Sequence, residues 1–256
     1  MILKISDGSN ARNILKEFFM KKVVLGAAVA LLMSAGLFAK TWTNNVGVGL
    51  SVPISMVSAK DPIFFDSGDT EATMTSTKDK TQFGFNVGAM YLGYHQSGFT
   101  VKGALSAGVG YMSDYWASID TAGRVSVDPA LGFNALESIG VGYSIVHTDK
   151  VVFALTGGVA FMESTYSEKL ITNLVEDELT NSLFAFSLGG DATVILRSAD
   201  GFGFFASVFV GWIPVGSASN EQKVSVGNLG TSKTTIETDL KGNVIIAPTI
   251  GVSWTF

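Results

Sequence analysis

The chain ends in the stretch Val244-Ile-Ile-Ala-Pro-Thr-Ile-Gly-Val-Ser-Trp-Thr-Phe256, in which apolar residues alternate with small or polar ones. Ile250, Val252, Trp254 and Phe256 share one parity of this stretch. Because alternate side chains of a β-strand lie on opposite faces, the pattern predicts a strand with one apolar face. Strands of a transmembrane β-barrel need such a face, since lipid lies outside and a polar lumen inside. An amphipathic strand of a soluble β-sandwich is the alternative.

The amino-terminal region has the order of a secretory signal. Lys21 and Lys22 precede an uncharged apolar run, 23–38, that ends at the small residue Ala39. The run is shorter than the roughly twenty residues of a membrane helix. We therefore predict a signal peptide over residues 20–39 and a mature β-barrel over residues 40–256.

Residues 1–19 do not fit such a signal. A secretory signal begins close to its charged segment, whereas this stretch places Asp7 and Glu17 ahead of it. We predict that translation starts at Met20, so that residues 1–19 are an untranslated or mis-assigned upstream extension.

Composition supports a membrane protein without membrane helices. Hydrophobic residues make up 47% of the chain and the mean hydropathy is +0.36, yet no apolar run after the signal reaches the length of a spanning helix. The chain has no cysteine, which excludes disulfides, thiolate metal sites and a lipidated cysteine. A net charge of -5 argues against a nucleic-acid partner. No cofactor and no metal site are predicted.

The same alternation recurs through the mature region and predicts eight strands. Their predicted ranges are 42–56, 82–91, 99–111, 133–145, 151–162, 183–197, 202–215 and 244–256. The predicted fold is therefore all-β, an eight-stranded antiparallel up-and-down transmembrane β-barrel.

The connections alternate between short and long. Three are tight turns, at 95–98, 147–150 and 198–201, whereas long loops are predicted at 58–80, 114–131, 163–181 and 216–242. Outer-membrane barrels place short turns in the periplasm and long loops outside, so both termini are predicted to be periplasmic. His95 and His147 then lie at the periplasmic end, whereas outer-membrane hydrolases use a histidine in the outer half. The sequence predicts that the protein is not an enzyme.

Glycine, serine, alanine and threonine dominate the inward parity. The predicted lumen residues are Lys102, Asp191, Arg197, Phe205 and Phe209. An eight-stranded barrel is only about wide enough for its own side chains, and small linings predict a narrow cavity of modest charge. The alternative is that the three charged residues only pair with one another and with trapped water.

Two prolines fall in the first and last strands, which must pair to close the barrel. Pro53 and Pro248 each lack a backbone N–H, so we expect this seam to be weak. We hypothesise a lateral opening there, from the lumen to the bilayer. The alternative is that each proline stands where its N–H would have been unpaired.

Three features carry a resemblance to a known family: the early stretch Asn44-Asn45-Val46-Gly47-Val48-Gly49, the apolar hairpins and the terminal Trp254-Thr-Phe256. Together they resemble the OmpW-like family of small outer-membrane barrels, and the signal and loops resemble those of spirochaetes. The resemblance implies diffusion of small hydrophobic solutes through a narrow lumen with a lateral exit. Trp254 and Phe256 also resemble the signal that the barrel-assembly machinery reads, so the expected partners are this machinery, outer-membrane lipid and the solutes.

A surface adhesin is the alternative function. The predicted loops 58–80 and 216–242 are rich in Thr, Ser, Asp, Glu and Lys, a composition that suits either contact with host surface molecules or solvation alone. In an adhesin the lumen would be inert.

Overall fold

The computed structural model describes residues 41–61, 76–119, 125–171, 175–226, 230–240 and 243–256. The predicted upstream extension and signal peptide lie outside these ranges. The described residues form ten strands: β1 (Trp42–Ser51), β2 (Ile54–Asp61), β3 (Ser76–His95), β4 (Phe99–Ile119), β5 (Val125–His147), β6 (Val151–Ile171), β7 (Val175–Arg197), β8 (Phe202–Val226), β9 (Gly230–Leu240) and β10 (Asn243–Thr255).

The ten strands make eight barrel strands, because two of these are interrupted. β1 and β2 both pair with β3 in one register, and β9 and β10 both pair with β8. All pairings are antiparallel, and β1 pairs with β10 to close the sheet. The prediction of an all-β, eight-stranded antiparallel barrel is confirmed.

The register defines the tilt of the barrel. Followed from Asn45 once around the sheet, the ladder returns to the first barrel strand at Ser55, ten residues farther along. The circuit passes through Leu92, Lys102, Gly140, Gly158, Gly189, Gly211 and Ile245. A shear of this size in an eight-stranded barrel tilts the strands by roughly 40°.

The two faces of the sheet follow the predicted alternation. Outward side chains are apolar and exposed, as Val87 (65%), Leu105 (54%) and Ile250 (64%) show. Inward side chains are small, polar or tightly packed, and most are buried. The exposed apolar band is what a bilayer requires of the outer surface.

The strands are much longer than predicted, which corrects the predicted loops. β8 has 25 residues, whereas crossing a bilayer takes about 9–11. The described parts of 58–80, 114–131, 163–181 and 216–242 all lie in strands, paired as hairpins. Outside the bilayer the apolar face is no longer needed, so the period that marks a strand is lost. Residues that favour β-structure continue beyond the bilayer, however, and the strands keep the register that is set within the bilayer.

The three predicted tight turns all lie at one end of the barrel, which also holds both ends of the described chain. Gly98 (φ 92°) and Gly201 (φ 84°) adopt the left-handed conformation that these turns require. In the last turn the Ser198 hydroxyl and the Phe202 backbone N–H donate to Asp200, and these bonds lower the pKa of its exposed carboxyl group. We call this the turn end and the opposite end the loop end.

Candidate functional site: the lumen and the seam

Two apolar clusters fill most of the lumen. The turn-end cluster consists of Met90, Leu92, Tyr94, Val152, Ala154, Ile195 and Phe205. The loop-end cluster consists of Met112, Leu136, Ala160, Met162, Tyr166, Leu183, Ala185, Phe209, Ile213, Ala218, Leu240, Ile245 and Ala247. Every member is at most 7% exposed. Buried apolar side chains therefore occur in both halves of the lumen.

An ion pair crosses the lumen between β4 and β7. Lys102 Nζ lies 2.6 Å from Asp191 Oδ1, and the two side chains are 4% and 9% exposed. Lys102 Nζ also donates to Thr193 Oγ1 (2.8 Å), whose hydroxyl donates to Asp191 (2.6 Å). Charge-assisted bonds in such a buried site are strong, so this transluminal ion pair ties two distant barrel strands together.

Arg197 makes a second transluminal link, nearer the turn end. Its Nη2 donates to the Tyr94 hydroxyl (2.7 Å), and its guanidinium carbon lies 5.6 Å from the Tyr94 ring centre. Because β3 and β7 lie opposite each other in the eight-stranded order, this bond spans the barrel. Arg197 Nε has no hydrogen-bond partner among the described residues. Arg197 thus contacts Tyr94, and only the other two predicted lumen charges pair with each other.

A small cavity of about 30 Å³ lies beside the transluminal ion pair. Its wall is formed by Ser51, Gly88, Ala89, Met90, Lys102, Ala104, Leu105, Ser106, Leu136, Ser138, Asp191, Phe205, Ser207, Phe209, Ala247 and Thr249. A cavity of this volume has room for only a few water molecules. The lumen is therefore tighter than the small inward residues suggest.

Phe205 and Phe209 occupy the space that inward-facing glycines leave. A Cβ atom added to Gly47 would lie 2.7 Å from the Phe205 ring, and one added to Gly251 would lie 2.6 Å from it. Phe209 covers Gly211 in the same way, at 2.7 Å. These glycines thus leave the space that the aromatic rings occupy, and both phenylalanines face inward.

A polar wall in the loop-end half was missed in the sequence. Asn86 Nδ2 donates to Asn134 Oδ1 (3.0 Å), Asn134 Nδ2 donates to Ser164 Oγ (3.0 Å), and the Ser164 hydroxyl donates to Gln82 Oε1 (3.3 Å). The network ends at Ser55, which donates to Gln82, and at Ser106, which accepts from Asn86. We call these six residues the amide network. The available signal was the inward parity of Gln82 and Asn86 in β3 and of Asn134 in β5, the two strands that flank β4.

The barrel seam continues past both prolines, and they act differently. Its ladder runs in one register from Asn45–Thr255 to Ser55–Ile245. Val52 N–H donates to the carbonyl of Pro248 (2.9 Å), but Pro248 has no N–H to return the bond. The carbonyl of Pro53 instead accepts from Gly84 of β3 (2.7 Å), so its missing bond belongs to that neighbour. Only Pro248 therefore weakens the seam, which corrects the expectation for Pro53.

Beyond Ser55 and Ile245 the seam has no ladder among the described residues. β2 pairs on that side with no residue farther out, and β9 pairs only with β8. The two strands nevertheless approach within 8 Å between Cα atoms. In the loop-end part of the seam, the two strands thus lie side by side without forming a ladder.

The two histidines lie at the turn end, as predicted. His95 contacts the Ser97 hydroxyl (2.9 Å), and the His147 ring packs 5.7 Å from that of Tyr94. The described residues include no group of three or more His, Asp or Glu that could hold a metal ion. No helix among them is long and apolar enough to cross a membrane.

The last strand closes on the first through its terminal residue. Phe256 N–H donates to the Asn44 carbonyl (3.0 Å), and Asn44 N–H donates to the Phe256 carbonyl (3.1 Å). The side chains of Trp254 (46%) and Phe256 (58%) remain exposed on the outer surface. The proposed assembly signal is thus accessible in the folded barrel.

Comparison with known proteins identifies the fold. The sequence matches no family model and no curated protein. The structure is similar to that of the outer membrane protein OprG from Pseudomonas aeruginosa, with a TM-score of 0.51 and 14% identity over 85% of this chain and 97% of that one. Similar too are a major outer membrane protein from Thermus thermophilus (TM-score 0.48, 10% identity, 82% and 99%) and the attachment invasion locus protein Ail of Yersinia pestis (0.39, 12%, 83% and 99%). The likeness to OprG shows that the chain has the fold of a small bacterial outer-membrane β-barrel, and the exposed apolar band agrees with the predicted place in the outer membrane.

Proposed function

We propose that this barrel is a channel for passive diffusion of small hydrophobic solutes, which enter the lumen from outside and leave laterally through the seam. The asymmetry of the lumen is the observation that carries the proposal. Both halves contain an apolar cluster, but the loop-end half holds the larger one beside the neutral amide network, whereas the ion pair and the Arg197–Tyr94 link cross the lumen nearer the turn end. A hydrophobic solute gains by contact with the larger cluster and would lose by displacing the two polar links.

The end of the ladder within the seam favours a lateral route from the lumen to the bilayer. Backbone groups between barrel strands must otherwise be paired wherever they meet hydrocarbon, so an exit requires a place where pairing already ends. The ladder ends at Ser55 and Ile245, and Pro248 removes one bond just below that point. The OmpW-like resemblance implies the same kind of exit.

Uptake by outer-membrane vesicles containing lipopolysaccharide would test the channel. We expect labelled toluene to enter vesicles with the barrel faster than vesicles without it. A variant whose β8–β9 hairpin is shortened at the paired residues Asn220 and Ile236 should retain this uptake. If there is no uptake, and shortening the hairpin abolishes binding to host cells, the protein is an adhesin that recognises host surface molecules.

A disulfide across the seam would test the lateral exit. Extending the register of the seam by two residues places Val57 opposite Asn243, and the chain has no cysteine of its own. Oxidation of a Val57→Cys/Asn243→Cys variant should slow toluene uptake, and reduction should restore it. Asn45→Cys/Thr255→Cys is the matched control, because that pair lies in the closed part of the ladder at the turn end and does not line the cavity. Equal uptake by oxidised and reduced Val57→Cys/Asn243→Cys would exclude an exit at this place.

Phe256→Ala is expected to impair assembly rather than stability. The exposed ring is available to the barrel-assembly machinery, while the backbone bonds to Asn44 do not depend on the side chain. Precursor should accumulate in the periplasm, although the purified variant refolds in detergent like the wild type. Val252→Ala, on the same face, is the control. Normal amounts of folded Phe256→Ala in the outer membrane would show that the residue is not part of the signal.

A further inference from the structure

The amide network contains polar atoms that the described protein does not satisfy. Gln82 and Asn86 are 1% and 0% exposed, yet Gln82 Nε2 and Asn86 Oδ1 have no hydrogen-bond partner among the described residues. One is a donor and the other an acceptor. Buried polar atoms are nearly always paired, so these two indicate a place where another polar group binds.

The amide network lies beside apolar side chains of the loop-end cluster, and Gln82 is the register partner of Met112. Met112, Leu136 and Met162 belong to the loop-end cluster, which shares this half of the lumen with Gln82 and Asn86. Methionine side chains rearrange easily, so this cluster can yield to a small solute. A molecule moving through this half therefore meets hydrogen-bonding groups and apolar side chains next to each other.

The polar wall continues to the cavity. Ser106 accepts a hydrogen bond from Asn86 and also lines the cavity, together with the hydroxyl-bearing Ser51 and Thr249 of the seam strands. A polar group that leaves the amide network toward the membrane interior thus passes other hydroxyl groups. A pure hydrocarbon would leave the unpaired amide atoms unsatisfied, whereas a hydroxyl or carbonyl group would form hydrogen bonds with them.

We propose that the solutes of this channel are neutral and amphipathic, with a hydroxyl or carbonyl group that binds to Gln82 and Asn86 and an apolar part that contacts the loop-end cluster. This inference rests on the proposed channel function. It predicts that phenols, alcohols, ketones and amides pass faster than alkanes and alkylbenzenes of similar size. Gln82 and Asn86 are its specificity-determining residues.

Phenol and toluene provide the test, because they have the same shape and differ by a hydroxyl in place of a methyl group. Uptake of each by lipopolysaccharide-containing vesicles is measured, and uptake by vesicles without the protein is subtracted. We expect Gln82→Met/Asn86→Leu to lower the phenol-to-toluene ratio by about tenfold, since it removes both unpaired amide groups. If the double variant does not fold, Gln82→Met alone should lower the ratio in the same direction. Thr100→Val, a buried polar change at the turn end, should leave it unchanged.

The outcomes separate the two proposals. If both solutes pass and their ratio is the same in wild type, in the amide variants and in Thr100→Val, the channel stands and the amphipathic specificity is wrong. If neither solute passes above the background, the channel itself is wrong, and this inference with it.

Discussion

Lys102→Met is expected to destabilise the barrel by about 3–5 kcal/mol, measured as the free energy of unfolding by urea in lipid vesicles. The change removes the ammonium group 2.6 Å from Asp191 but leaves the carboxylate, whose side chain is 9% exposed. Thr193 would still donate its hydroxyl hydrogen bond to this carboxylate. A buried carboxylate without a counter-charge is far more costly than the ion pair is stabilising.

Lys102→Met/Asp191→Leu is expected to recover most of that loss, to within about 1–2 kcal/mol of the wild type. Both charges are then gone, and two apolar side chains of similar length remain in a largely apolar lumen.

Lys233→Met is the matched control for Lys102→Met. Lys233 lies 2.7 Å from Glu221, a similar distance, but these side chains are 58% and 39% exposed. Its loss should cost less than about 1 kcal/mol. A single Lys102 variant no less stable than Lys233→Met would show that the transluminal ion pair is not desolvated.

The sequence predicts the barrel because one physical requirement repeats in every strand. Lipid outside and a confined interior impose a two-residue period, and residues 244–256 show it most clearly. The same period correctly predicts that Lys102, Asp191 and Arg197 face inward. It cannot predict that Lys102 binds Asp191 while Arg197 binds Tyr94, because partners across a lumen depend on register and shear around the whole sheet.

The prolines illustrate the same limit. Successive backbone N–H groups of a strand point to opposite neighbours, so a missing one belongs to one side only. The missing N–H of Pro248 would have pointed to the seam, and that of Pro53 to β3. The ladder register is needed to distinguish the two cases. The long hairpins were missed for a different reason. Outside the bilayer no solvent difference marks the two faces, so the pattern fades although the strands continue.

Gly47→Ala and Gly251→Ala are expected to destabilise the barrel for different reasons, which one further substitution separates. A Cβ atom on Gly47 would lie 2.7 and 3.0 Å from two Phe205 ring atoms, and its nearest backbone contact would be at 3.0 Å. A Cβ atom on Gly251 would lie 2.6 Å from the Gly49 Cα atom across the seam and would also overlap the Val48 carbonyl oxygen. We expect a loss of about 1–3 kcal/mol for Gly47→Ala, as for other overpacked sites, and a larger loss for Gly251→Ala.

Phe205→Leu should rescue the stability of Gly47→Ala but not that of Gly251→Ala. A leucine frees the space above Gly47, so Gly47→Ala/Phe205→Leu should be about as stable as Phe205→Leu alone. Gly251→Ala/Phe205→Leu should remain unstable, because the backbone of the neighbouring strand still blocks the added methyl group. Urea unfolding and the shift of the folded band on unheated gels measure both. Equal rescue of the two variants would mean that the seam backbone yields to a side chain. The ring of Phe205, rather than the β1–β10 ladder, would then limit how closely the barrel can close.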